Sequence, residues 1–226
     1  MIPKIIYTTW ISPDPLPEKF QPYLDSWKGL MSEYELRIIT LSNIKKNCFV
    51  KRALKNKKYA LAGHYARCEC LYKTGGLYFD VDIEAIKKFD DLLNNKLFLG
   101  REDAGMINNA VIGCEAKQPF IKACLNYMDK IDLSIDNLEL ETGPWMFNKL
   151  YEKFKDSITI YPEEYFYPYH YTENFQPECI KENTYAIHHW AKTWIDSNQN
   201  NIKIIPKGKK IKLVFKSLKL LLKKSL

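Results

Sequence analysis

A pair of glycines, Gly75-Gly76, punctuates the chain where its folding options are fewest. The lysine-rich stretch from about Ile44 to Tyr72 has helical periodicity, and two glycines past the last periodic residue stop such a helix. Beyond them Leu77-Tyr78-Phe79-Asp80-Val81-Asp82-Ile83 reads as a buried strand with two acids near its end. A long helix feeding a buried strand through a glycine turn is the building step of an α/β fold. The rest of the chain keeps to that grammar. Strands are expected at Ile2–Trp10, Tyr34–Ile39, Leu97–Gly100, Asn109–Gly113, Thr159–Tyr161 and Thr184–His188. Helices are expected at Phe20–Leu30, Pro119–Tyr127 and Pro144–Phe154. With neither an internal repeat nor a linker, residues 1–206 read as one α/β domain with a mainly parallel central sheet.

The net charge of +7 suggests nucleic acid until it is divided along the chain. Residues 207–226 hold eight lysines and no acid; removing these eight from 34 basic residues leaves 26 against 27 acids, a body of −1. A near-neutral body does not track a phosphate backbone, so no nucleic-acid partner is expected. In the tail, Ile211, Val214, Phe215, Leu218, Leu221 and Leu222 recur at helical spacing, with Lys212, Lys216, Lys219 and Lys223 on another face. That pattern is a basic amphipathic helix, suited to an anionic membrane surface or to docking on its own domain. No run approaches the ~18 apolar residues of a spanning helix, and the N-terminus lacks a signal peptide's apolar core. The expected location is therefore cytoplasmic, peripheral at the inner face of the cell membrane. Six scattered cysteines show no zinc-type spacing and read as reduced thiols.

On a continuous strand, the period of two aims Asp80 and Asp82 toward one face, with Tyr78 beside them. Two adjacent carboxylates repel unless a cation or several donors sit between them. A hard divalent ion shared with substrate oxygens is one remedy. A solvated strand end is the plain structural alternative.

The setting of those acids favours the chemistry. Tyr65-Ala66-Arg67, Leu71-Tyr72, Gly75-Gly76, Tyr78, Asp80 and Asp82 match the pattern Y-A-R-x-x-x-L-Y-x-x-G-G-x-Y-x-D-x-D. Ile2-Pro3-Lys4-Ile5-Ile6 with Trp10, Ile107 to Gly113, Thr142-Gly143-Pro144, and Ala186-Ile187-His188-His189-Trp190 with Trp194 follow in order. Over about residues 1–195 the chain resembles glycosyltransferase family 32, which includes capsule and lipopolysaccharide sugar transferases and relatives in clostridial toxins.

The resemblance implies a GT-A fold, Rossmann-like, and metal-dependent retaining transfer from a UDP- or GDP-sugar to a saccharide acceptor, expected to be lipid-linked. It implies Mn2+ or Mg2+ held by Asp82 with His188 or His189, of which at most one faces the site because neighbours on a strand point oppositely. Asp80, Asp82 and Arg67 would be the catalytic group, with Asp80 on the ribose and donor sugar and Arg67 holding sugar hydroxyls. Trp10, which by itself reads as a core residue, would stack on the nucleobase. Thr8, Thr9, His64, Tyr78, Asn109, Gly143 and Trp194 complete the implied donor site.

One position departs from the family. An aspartate that binds the donor sugar usually precedes Tyr-Ala-Arg, and here it is His64. A neutral imidazole cannot offer a carboxylate's two acceptor oxygens. The change implies either an altered donor or a catalytically weak sugar-nucleotide- or glycan-binding protein.

Overall fold

The computed structural model describes residues 1–103, 105–132 and 142–191. Trp194 and the basic tail 207–226 lie outside the described residues, as does the boundary at 206. A six-stranded sheet runs in the order β2-β1-β3-β6-β5-β7, from β1 (Ile5–Trp10), β2 (Glu35–Thr40), β3 (Gly76–Phe79), β5 (Leu97–Arg101), β6 (Ile107–Cys114) and β7 (Thr159–Tyr161). Three of its five pairings are parallel; β6 runs against both β3 and β5. The expected mainly parallel sheet is present, with one reversed strand at its centre. A separate antiparallel pair joins β4 (Ile83–Ala85) to β8 (Ala186–His188).

Alternation along the strands divides the core into two layers. Tyr7, Tyr78 and Ile112 face a layer built with α2 (Cys48–Lys55), α3 (Tyr59–Thr74), α4 (Pro119–Met128) and α5 (Gly143–Tyr151). Ile6, Leu77, Phe79 and Val111 face the other, where α1 (Gln21–Leu30) packs Leu24 and Trp27. The six cysteines are unpaired, three of them buried.

The glycine pair does what its position demands. Gly75 has φ +70 and Gly76 φ +124. A Cβ on Gly75 would lie 2.7 Å from the Ala116 nitrogen, and one on Gly76 2.8 Å from the Ile5 carbonyl oxygen. Side chains there would push α3 and β3 off the sheet.

Two expectations need correction. The single helix over Ile44–Tyr72 is two, α2 and α3, broken at Asn56–Lys58, where Lys57 takes a positive φ of 55. The continuous strand Leu77–Ile83 is also two. β3 ends at Phe79, and the Ile83 N–H closes a turn onto the Asp80 carbonyl at 3.0 Å before β4 begins in the other sheet. The apolar alternation runs across both strands, because each is buried, and so hides the turn.

Candidate active site

Asp80 and Asp82 therefore stand on a turn between two sheets and not on one strand face. The turn is anchored from both sides. The Asp80 N–H donates to the Ala110 carbonyl at 2.9 Å, and the Trp27 indole N–H to the Ile83 carbonyl at 2.8 Å. β8 then pairs with β4 in a register that sets His188 opposite Ile83, and the His189 N–H donates to the Asp82 carbonyl at 3.0 Å. Pairing across a hundred residues thus delivers a histidine to the acids. One side-chain atom each of Asp80, Asp82 and His188 lies within 4.8 Å of the others.

Asp80 is held by its neighbours in sequence and in space. Its Oδ1 accepts from Arg67 Nη2 at 2.6 Å and from the Tyr78 hydroxyl at 2.8 Å. Thr9 Oγ1 lies 2.9 Å from that hydroxyl. Oδ2 has no partner among the described residues. Arg67 Nη1 donates to the Asn109 carbonyl at 2.6 Å, and the guanidinium carbon sits 4.1 Å from the centre of the Tyr78 ring. Arg67, expected to hold sugar hydroxyls, is instead buried with both terminal nitrogens committed to protein. It positions Asp80. Burial raises the Asp80 carboxyl, opposed by Arg67 and aided by Asp82.

Asp82 is pinned by its backbone surroundings. Its Oδ2 accepts the Ala191 N–H at 2.7 Å, and its Oδ1 lies 3.4 Å from His188 Nε2. Burial alone would raise this carboxyl, but His188 and the Ala191 N–H hold it down at about 2. Burial likewise works against a charged His188, yet Asp82 outweighs it and raises the imidazole above its ordinary range. His188 Nδ1 is buried with no hydrogen-bond partner, and its ring packs 4.1 Å from that of Trp190.

Two carboxylates and an imidazole form a donor set suited to a divalent cation. The close approach of two like charges, with His188 Nε2 turned toward them, is the observation that fits a cation here. His189, expected as an alternative ligand, turns the other way, as strand alternation requires. Its Nε2 lies 2.8 Å from the buried Glu84 carboxylate, and its ring stacks on Tyr23 at 4.7 Å.

The expected donor-side residues gather beside this centre, several of them more deeply than expected. Thr8 is fully buried with its hydroxyl unpartnered; Tyr78 and Asn109 are also buried, and Asn109 Nδ2 lacks a partner. Trp10 is half-buried at the end of β1, its indole N–H donating to the Asp14 carbonyl at 2.9 Å. His64 precedes Arg67 by three residues on α3, and its Nδ1 lies 3.0 Å from Thr142 Oγ1. Burial, with the Arg67 charge adding to it, pushes His64 down to about 3 and keeps it neutral. Gly143, at φ +59, opens α5 against His64; a Cβ there would sit 3.0 Å from the imidazole.

Sequence reasoning passed over Thr142 as the partner of His64, and Glu84 as that of His189. Glu84 left a signal, an acid within the apolar run Ile83-Glu84-Ala85-Ile86. Thr142 left none.

Residues 17–99, which include Arg67, Asp80 and Asp82, match the family model described as a glycosyltransferase sugar-binding region containing the DXD motif. The chain is 28% identical over 147 residues to lactosylceramide 4-alpha-galactosyltransferase of Rattus norvegicus, covering 56% of this chain and 39% of that protein. It is 26% identical over 176 residues to inositol phosphoceramide mannosyltransferase 2 of Schizosaccharomyces pombe, covering 73% of this chain and 50% of that protein. The chain thus spans half or less of the length of these relatives. Its fold is similar to that of the PaToxG glycosyltransferase, with TM-score 0.58 and 21% identity over 68% of this chain and 70% of the other.

Proposed function

We propose that this chain is a family-32-type glycosyltransferase of GT-A fold that transfers a hexosyl unit from a nucleotide sugar to a saccharide acceptor with retention at the anomeric carbon. The observation that carries the reading is the convergence of Asp80, Asp82 and His188 at the joint between the two sheets. Asp82 and His188 would hold Mn2+ or Mg2+, with Asp80 alongside. When bound, such an ion offsets charge on the diphosphate leaving group.

The protein's own groups supply placement. Arg67 and Tyr78 fix Asp80 Oδ1, leaving Oδ2 to accept from ribose or donor-sugar hydroxyls. Trp10 would stack on the base. His64, neutral, can exchange one hydrogen bond with the sugar where a carboxylate would accept two. On this reading Asp80 Oδ2 serves donor hydroxyls and Asp82 the cation, so neither carboxylate is assigned the role of covalent nucleophile. Retention then follows from front-side attack. The bond from the anomeric carbon to the phosphate oxygen breaks as the bond to the acceptor oxygen forms, and the acceptor's proton passes to the departing phosphate.

For the acceptor, the names of the two relatives point to hydroxyl-bearing head groups carried on ceramide, a saccharide in one case, and the basic amphipathic tail suits a membrane surface. On this reading the enzyme works at the inner face of the membrane on a growing surface polysaccharide, capsule or lipopolysaccharide.

The test is a panel of UDP- and GDP-hexoses scored for hydrolysis and transfer. Turnover should require a divalent ion, stop with EDTA, and fall at least ~10²-fold in Asp82→Ala, the scale of losing one transition-state charge contact. Full activity in that variant or in EDTA would overturn the assignment. The His64 substitution favours one other reading, a protein that binds nucleotide sugars without turning them over. Tight nucleotide binding with no hydrolysis or transfer across the panel would select it.

A further inference from the structure

Across Tyr167 from His188 lies an open cleft of about 470 Å³ that the reading so far does not use. One wall is the end of β5, the other the loop that begins at Glu163. Gly100 lets the two meet: a Cβ there would lie 2.5 Å from a Phe166 ring carbon and 2.8 Å from one of Tyr167. Tyr167 then accepts the Val111 N–H at its hydroxyl, 3.1 Å away, and its ring centre lies 5.8 Å from that of His188. On the opposite wall Glu102 accepts from Asn108 Nδ2 at 2.6 Å. Asn108 precedes Asn109, whose carbonyl receives Arg67. The cleft therefore borders the catalytic centre through both walls.

Its lining has an uneven composition. Tyr167, Pro168 and Tyr169 give an apolar side, and among the described residues that line the cleft Glu102, Asp103, Glu163, Glu164 and Glu173 face Lys181 as the one fixed cation. Four of these acids accept from neutral donors. Asp103 Oδ1 accepts from the Gly105 and Met106 N–H groups, Glu164 from Asn183, and Glu173 from the His170 N–H. Neutral donors leave the negative charge of a carboxylate uncancelled. The result is a concave, partly aromatic surface with a strong negative potential, one step from the reacting centre.

We propose that this cleft is the acceptor subsite, and that it admits neutral or amine-bearing saccharides while rejecting those with a carboxylate or phosphate on the sugar that enters it. Carboxylate oxygens accept from sugar hydroxyls and from ammonium groups alike, whereas an anionic sugar meets like charge from both walls. The inference rests on the glycosyltransferase reading of the adjacent centre. A lipid-linked acceptor would have to keep its phosphates beyond the cleft.

The experiment compares methyl glycosides that differ in charge, in both the gluco and galacto series: the neutral hexoside, the 2-amino-2-deoxyhexoside and the uronide. Binding to the full chain is read by saturation-transfer NMR at about 50 mM salt, where the Debye length still exceeds ~10 Å. In at least one series the neutral and amino forms should bind, with the uronide roughly tenfold weaker or worse. Glu163→Gln with Glu173→Gln, both exposed positions, should narrow that gap several-fold. Binding of UDP or GDP with Mn2+, followed by calorimetry, should be unchanged in the variant. Uronides that bind as well as neutral sugars, an unchanged gap in the variant, or no glycoside binding beside intact nucleotide binding would each overturn the inference. Failure of both nucleotides to bind would instead overturn the glycosyltransferase reading.

Discussion

Replacing Arg67 with Met tests whether the site is built from the inside outward. The substitution keeps an unbranched stem on α3 and removes the guanidinium. Asp80 Oδ1 would retain only the Tyr78 hydroxyl, and the Asn109 carbonyl would lose the donor now 2.6 Å away. Breaking one side of a buried ion pair costs ~3–5 kcal/mol, because the remaining charge stays without compensation. Arg67's side chain is 5% exposed and Asp80's 29%, so water can reach the aspartate and relieve part of the cost. The lower end, about 3 kcal/mol, is the expected loss. For a chain of this size that lowers Tm by roughly 6–12 °C.

Thermal and urea denaturation of Arg67→Met, Asp80→Asn and the double variant would measure it. Because the two residues touch, the cycle should show coupling of about 1–3 kcal/mol, the double variant losing less than the two singles together. A single-variant loss under ~0.5 kcal/mol, or singles that add within that margin, would refute the positioning role.

His64 should make stability acid-sensitive. Its folded value of about 3 lies below the ordinary 6.5, so on acidification the unfolded chain takes up a proton that the folded chain refuses. The contribution is intact above pH 6.5 and is lost as pH falls, by about 2 kcal/mol between pH 7 and pH 5. His64→Gln should lack that component in urea titrations at the two pH values, and an equal acid loss in both proteins would contradict the burial argument. The tail makes a separate prediction. Truncation after Pro206 should abolish salt-sensitive co-sedimentation with anionic vesicles, since lysines at such a surface contribute about 1 kcal/mol each. Undiminished binding by the truncated protein would remove the membrane role.

How far the site could be read in advance depended on chain distance. The helix–glycine–strand junction was legible because its determinants are local. Helical periodicity, two glycines with no room for a Cβ, and an apolar alternation all act within a few residues of one another. Asp80 and Asp82 were legible for the same reason, although the alternation that revealed β3 concealed the turn on which both acids stand. Arg67 could be singled out by spacing, but not its commitment. That depends on Asn109, which reaches it through β6, and on the depth of burial.

The sequence by itself determined the α/β class, the order of elements, the paired acids and the alternation that keeps His188 and His189 on opposite faces. Only the tertiary structure decided which histidine meets the aspartates, that Arg67 braces Asp80, that His64 is neutral against Thr142, and that five acids share one cleft. Backbone preference and hydrophobic period are properties of neighbours along the chain. A ligand set, a buried pKa and a surface potential are properties of neighbours in space. Here the β4–β8 register brings Asp82 and His188 together from 106 residues apart.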